Sequence, residues 1–460
     1  MVEPSSSASL WRTVLPICCI CLLYLTSFFL FVCSTNSLIY STVCYLRANA
    51  SFCAEIDRNQ SYHLLEESIQ KESSQWALYG TLSFSIIACF ISPIYGSLSD
   101  TKNRKLPIVL TICNAIVTGL IITIASIHQG TQLCLILYLI ANIVNGFGGG
   151  ALILISSCFG YATDSCIQKE QHVQIIALIE ASLNIGVVIG YVLCTFFFQL
   201  QLQIWYILLI HVTLLVLTLF ISLVFLRTRL TTESSTISTR EKLIRPFVDT
   251  RDLFVTLKQN SLLVSFLILL ISLFFYDLFR MGSSSVVYLY LHRMSFDDTH
   301  YAAYFTFEQL ATCLALIILA LLRRQWKIND LYLASIGLLF SLVGPILFAF
   351  AKNNKAMIFG AIPSSMFSIY FAVCLRSIIA RLVPDKDRGK ELSDVKYSFY
   401  LTRIILLGKA FGFVALIQNL DVVIGTISCV EIYRASIDFF PGFVFIFAAA
   451  TRLLALILIL

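Results

Sequence analysis

Charged side chains are scarce: Asp, Glu, Lys and Arg make up 13% of the 460 residues, about half the ~25% of an ordinary soluble domain. That shortage excludes a water-surrounded globule of this length, whose surface alone would need more of them. Missing too is any G-x-x-x-x-G-K-[ST] phosphate cradle, which argues against a nucleotide-driven pump. No nucleophile–base arrangement marks an enzyme. The 15 cysteines form no Cys/His cluster at metal-ligand spacing and mostly lie in apolar runs, where a thiol behaves as a small hydrophobe. No cofactor and no metal are therefore expected. The net charge of +6 sits in short loops rather than on one basic face, so nucleic acid is not an expected partner. What is abundant is apolar: 58% hydrophobic residues, 36 Phe, 20 Tyr and a mean hydropathy of +0.86. The expected surroundings are a lipid bilayer, crossed many times.

A helix needs about 20 apolar residues to cross a ~30 Å hydrocarbon core. Twelve runs qualify: Thr13–Tyr40, Trp76–Leu98, Leu106–Ile127, Leu133–Phe159, Val173–Phe198, Ile204–Leu226, Ser261–Leu291, Tyr301–Leu322, Leu331–Ala351, Met357–Leu382, Leu392–Leu420 and Ile437–Leu460. The first is too long for a signal-peptide core and is expected to be retained as a span. The eleventh is the odd one, because Lys396, Arg403 and Lys409 fall inside it. Lys396 and Arg403 share a helix face while Lys409 points nearly opposite. Either the span is displaced, or the cargo is unusually anionic.

Placing both termini in the cytoplasm assigns most loop cations, among them Lys102, Arg104, Lys105, Arg227, Arg240, Lys242, Arg323 and Arg388, to the inner side. Few, such as Arg47, Lys71 and Arg293, fall outside, as the positive-inside rule requires. The two N-x-S/T sequons, at Asn49 and Asn59, both land in the expected outer loop 41–75, which predicts a glycoprotein. The longest inner connection, 227–260, is polar and basic and divides the chain into an N-terminal half, 1–226, and a C-terminal half, 261–460. The expected fold class is an all-α membrane protein of twelve transmembrane helices in two six-helix halves, the organisation of the major facilitator fold.

The stretch "YGSLSDTKNRK" between spans two and three strengthens this expectation. It resembles the G-x-x-x-D-x-x-G-R-[KR] signature of that superfamily through Gly96, Asp100, Arg104 and Lys105. It departs at Asn103, a residue type that tolerates the left-handed turn usually given to glycine. The resemblance implies an inner gate in which Asp100 and Arg104 pair with each other and with a neighbouring helix end. The plainer reading is that these residues only obey the positive-inside rule and stop a span.

A narrower resemblance runs through "VEP" at Val2–Pro4, "NASFC" in the first outer loop, "SQWALYG", "GYATDSC", "ALIEASLNIGVVIG", "CLRSIIARLV" and "PGFVFIFAAA". In this order the pieces resemble solute carrier family 46, the proton-coupled folate transporter family, nearer its lysosomal-type branch. The resemblance implies that Glu180 sits where members keep an acidic residue involved in proton coupling. It also implies that Arg376 occupies the place of an arginine affecting substrate and proton binding, and that Asp164 matches an acidic position between spans four and five. Cys53 matches a cysteine that bridges to the loop after span seven, but that loop here reads "HRMSFDDTH". Cys44 or Cys429 could take the missing partner's place.

These residues also have a reading of their own. A charge in hydrocarbon costs several kcal/mol unless it faces a cavity or a partner, so Glu180 either exchanges a proton as its surroundings change or pairs permanently with a cation on a neighbouring helix. Glu308 in span eight is a second proton candidate. Arg376 can clamp a carboxylate or phosphate with parallel hydrogen bonds, or snorkel to the inner surface. Asp277 and Arg280, three residues apart on one helix face, either neutralise each other or offer Arg280 to substrate. Gly146 and Gly150, and Gly186 and Gly190, are spaced for close helix packing. The expected function is a monomeric secondary carrier that moves a small organic anion, coupled to protons, by alternating access in the plasma membrane or the lysosomal membrane. Two alternatives stay open: a transporter-like receptor or accessory protein that binds without transport, and an uncoupled facilitator of a neutral solute.

Overall fold

The computed structural model describes residues 6–48, 53, 63–101, 105–163, 169–226, 255, 257–258, 261–326, 328–351, 354–382 and 396–460. Span one is Ser6–Arg47, span two His63–Thr101 and span three Lys105–Ile127. Span four is made of Gln132–Gly148 and Gly150–Thr163, span five is Lys169–Gln199 and span six Ile204–Phe225. Span seven combines Leu263–Gly282 with Ser284–Arg293, and spans eight and nine are Asp298–Trp326 and Asp330–Ala349. Span ten runs from Lys355 to Leu382 through short helical pieces, span eleven is Lys396–Ser436 and span twelve Phe443–Ile459. Eleven of these are long and apolar enough to cross a membrane, and Phe443–Ile459 is a shorter apolar helix.

Local chemistry explains the boundaries. Thr131, Asn329 and Asn354 accept hydrogen bonds from the backbone N–H groups of Cys134, Leu331 and Met357, satisfying donors that a helix start leaves unpaired. Inside the spans, hydroxyls that lipid cannot solvate bond back one turn, as Thr35 does to Phe31 O and Thr218 to Leu214 O. Span four is broken where the chain turns left-handed at Gly149 (φ 69°) and Gly150 (φ 65°). Gly146 and Gly150 were expected to serve packing alone. Gly146 lies against Phe84 and Ile87 of span two and Gly150 against the Phe84 ring, so both pack as expected, and Gly150 belongs to the break as well. Gly186 and Gly190 do pack: a Cβ on Gly186 would lie 2.5 Å from Leu22 O, and one on Gly190 2.9 Å from Thr26 O.

Span eleven also departs from its expected boundaries. Its helix is Lys396–Ser436, so it continues past the expected end at Leu420, and Lys396, Arg403 and Lys409 lie in the N-terminal part of that helix. The side chains of these three cations lie outside the described residues.

Spans one to six pack largely on one another through one–five, one–six, two–four, three–four and three–six contacts. Spans seven to twelve repeat the pattern as seven–eleven, seven–twelve, nine–ten and nine–twelve. The two groups meet along two seams, span five against span eight and span two against span eleven. On the first seam, Tyr191 and Phe305 stack with centroids 5.2 Å apart and planes at 13°.

Candidate functional site

In this apolar interior the few ionic side chains define the site. Arg376 of span ten donates from Nη1 to Glu180 Oε1 of span five across 2.6 Å. The pair joins the two groups of helices, and its side chains keep 37% and 27% of their exposure. Arg376 thus bonds a carboxylate rather than reaching for the surface. Glu180 has the cation partner that its bland reading required, in a place open enough for that partner to be exchanged.

The second grouping lies wholly among spans seven and eleven. Asp277, with 0% of its side chain exposed, accepts from Arg280 Nε at 2.7 Å and from Gln418 Nε2 at 2.8 Å. Self-pairing of Asp277 and Arg280 is therefore the arrangement adopted, although the Arg280 side chain remains 42% exposed. Asp421, three residues beyond Gln418, is buried beside them. Arg452 of span twelve donates to Ser341 O at 2.7 Å, and its guanidinium lies over the Tyr276 and Phe279 rings. Glu308 of span eight sits beside Ser365 and within the electrostatic reach of Arg452.

At the end of the bundle bearing the 48–62 connection, further polar bonds link the two groups. Ser37 of span one donates to Asp298 of span eight, which also accepts from Tyr288 at 2.8 Å. Lys71 of span two meets Asp438 at 2.9 Å, and Tyr433 donates to Gln70 at 3.0 Å. Next to Asp298, burial pushes the Asp297 carboxyl up. The backbone and ring N–H of His300 and the charge of Lys355 outweigh burial and hold it below the usual carboxylate range. A depressed carboxyl contributes stability above its unfolded pKa, near 4, and loses it only as pH falls through the lower folded value. The Asp297–His300 bond at the start of span eight therefore persists in a mildly acidic compartment.

The other expected site residues divide. Cys53 is bonded to Cys44 in the structure, and Cys429 is free and buried. Lys105 donates to Leu223 O and Leu226 O at 2.8 and 2.9 Å, placing a cation on the C-terminal carbonyls of span six. Gly96 and Asp100 lie in the last turns of the span two helix. The side chain of Asp100, together with Arg104, Asp164, Asn49 and Asn59, lies outside the described residues. Among the described residues no group of His, Cys, Asp and Glu could hold a metal ion.

Two ionic residues escaped the sequence reading. Asp421 fell just beyond a span drawn to end at Leu420. Arg452 stands in "AAATRLLALILIL", where an isolated charge in an apolar run was signal enough.

Comparisons with known proteins agree with this architecture. The sequence pattern of the Major Facilitator Superfamily matches residues 18–426. The lysosomal proton-coupled steroid conjugate and bile acid symporter SLC46A3 of Gallus gallus is 25% identical over 431 residues, covering 91% of this chain and 85% of its own. The proton-coupled folate transporter of Bos taurus is 22% identical over 406 residues, covering 87% and 81%. Both support the resemblance to solute carrier family 46. Among solved structures, the human organic anion transporter MFSD10 superposes with a TM-score of 0.69 at 16% identity over 100% of both chains. A D-xylose-proton symporter does so with 0.64 at 14% identity, over 98% of this chain and 97% of the other. These two likenesses concern the fold.

Proposed function

We propose, from the premise that the chain belongs to the major facilitator superfamily and is a membrane transporter rather than an enzyme, that it is a symporter coupling a small organic anion to protons by alternating access. The observation that carries this reading is the partly exposed Glu180–Arg376 pair between the two helix groups. Exposed ion pairs contribute only about 0–1 kcal/mol, so Glu180 can be displaced at small cost. An organic carboxylate or sulfate can accept parallel N–H bonds from the same guanidinium fork. Protonation of Glu180 removes its hold on Arg376 and opens that fork to the anion; loss of the proton on the other side restores the pair and expels the cargo. Arg376 keeps its charge throughout and carries no proton itself.

Glu308 is a further candidate proton carrier, and Arg280 a further candidate substrate contact through its exposed face. Gly96, Asp100, Arg104, Lys105 and Asp164 are assigned to the gate at the linker end. Steroid conjugates, bile acids and folates are the first cargo classes to try, since the relatives' names carry them. An acidic compartment outside the cytoplasm, lysosomal or extracellular, would supply the protons.

The test is uptake into proteoliposomes of a steroid sulfate, a bile acid and a folate, with the outer pH at about 5.5 and about 7.4. One coupled proton turns each pH unit into about tenfold accumulation. Arg376→Ala should raise KM for the transported anion about 10- to 100-fold, the loss of a charge-assisted bond worth about 1.5–3 kcal/mol. Lys at that position should recover only part, because it offers a point charge rather than a fork. Uptake that ignores pH, or binding with no uptake of any anion, would defeat the proposal.

A further inference from the structure

Asp421 is the least accommodated charge-bearing side chain of the described interior. Its exposure is 0%, and neither carboxylate oxygen has a hydrogen-bond partner. Its neighbour Asp277 is equally buried but satisfied, with Arg280 on one oxygen and Gln418 on the other. Two carboxyl groups thus share one guanidinium, which is bonded to the first of them. An ionised carboxylate removed from water with no donor costs several kcal/mol, and a like charge alongside adds to that cost.

Among the described residues, Asp421 has no second countercharge. From span seven it faces Asp277 and Arg280. From span two, the polar contact beside it is Ser92, which bonds its neighbour Asn419 at 3.3 Å. Arg452 of span twelve acts on Asp277 and Arg280. A neutral carboxylic acid removes both penalties at once.

We infer that Asp421 is a proton-binding site of the transport cycle, additional to Glu180, and that it is loaded in the conformation described. The carboxylate takes one proton from water on the acidic side when its surroundings open there. It returns that proton to water on the other side, when the new carboxylate can compete with Asp277 for Arg280. Spans seven and eleven are built to register this competition, because Gly282 and Gly425 bring their backbones into direct contact next to the cluster. The inference rests on the proton-coupled reading above and adds a proton to it: a monovalent anion would then move with two protons and one net positive charge.

The experiment uses the full chain in proteoliposomes with an anion that the wild type accumulates, comparing wild type, Asp421→Asn and Asp421→Glu. With one proton fewer, Asp421→Asn should accumulate about tenfold less per pH unit and lose its response to a potassium–valinomycin potential, while keeping anion counterflow. Asp421→Glu should keep both responses at a shifted pH midpoint. Unchanged accumulation and unchanged potential response in Asp421→Asn overturn the inference. Infrared spectroscopy decides independently of transport. A protonated-carboxyl band that is present in the wild type at neutral pH, shifted in Asp421→Glu and missing from Asp421→Asn is expected, and spectra in which neither substitution alters such a band overturn the inference. Wild-type uptake that is indifferent to pH would instead defeat the coupled-transport reading, and the infrared result would still say whether Asp421 holds a proton.

Discussion

At the scale of single residues, two ion pairs of similar length differ in burial, and burial decides what breaking each one costs. Glu180–Arg376 at 2.6 Å is partly open, so breaking it returns both groups to polar surroundings at a cost of about 1 kcal/mol or less. Asp277–Arg280 at 2.7 Å has its carboxylate fully buried, and removing one partner of a buried pair costs about 3–5 kcal/mol. Asp277→Asn should therefore act on the fold: a melting temperature in detergent several degrees below wild type, with the surviving protein still binding anion. A melting curve equal to wild type, with anion binding lost, would make Asp277 part of the cargo site instead. Glu180, Arg376, Asp277 and Arg280 were each legible in the sequence as charges in apolar runs. The pairing of the first two was not, because they are 196 residues apart and only the seams between helix groups bring spans five and ten together. Asp421 was lost for a different reason: a hydropathy window that begins among Lys396, Arg403 and Lys409 ends too early, and its edge fell one residue short.

At the scale of elements, close approach of helices is set by where side chains are absent. Spans one and five touch through Gly186 and Gly190 against the backbone of Leu22 and Thr26, and Thr26 Oγ1 donates to Gly186 O at 3.1 Å across the same contact. A methyl group on Gly186 meets main chain, which cannot rotate away as a side-chain tip can. Gly186→Ala should separate the two helices and cost about 1–3 kcal/mol, the usual penalty of overpacking. Gly360→Ala is the control, since nothing lies within 4 Å of a Cβ there. A thermal-shift comparison of the two variants checks this, and equal melting temperatures would mean that the span one–five contact yields easily. This contact was readable as a small-xxx-small spacing, whereas the same spacing at Gly146 and Gly150 also contains a helix break. Spacing records that side chains are missing but not the sign of φ, so the left-handed pair at Gly149 and Gly150 could not be told from a packing motif. Helix ends behave likewise. Span two begins at His63 rather than near Trp76, because "HLLEESIQKESSQ" is polar yet helical and hydropathy registers only its apolar continuation.

At the scale of the molecule, alternating access requires that the two helix groups be held together at one end by bonds weak enough to break in every cycle. The polar ties at the end bearing residues 48–62 meet that condition. The Lys71–Asp438 pair is 35% and 59% exposed, which places it in the range of about 0–1 kcal/mol. The neighbouring Gln70–Tyr433 and Ser37–Asp298 bonds are neutral or singly charged, each worth about 0.5–3 kcal/mol. The total is a few kcal/mol, comparable with what differential binding of anion and protons supplies, so cargo can tip the balance. If this end must open for transport, a bridge between spans two and eleven stops the cycle. Cysteines placed at positions 71 and 438 and joined by a short bifunctional thiol reagent should abolish uptake, and a reducible version of the reagent should restore it. The charge-reversed pair Lys71→Glu with Asp438→Lys should transport as the wild type does, while either reversal alone weakens the closure and leaves the 48–62 end more often open to membrane-impermeant label. Uptake that continues with the bridge in place would mean that the two groups do not part along the span two–eleven seam, and the rocking motion would have to be sought on the span five–eight side.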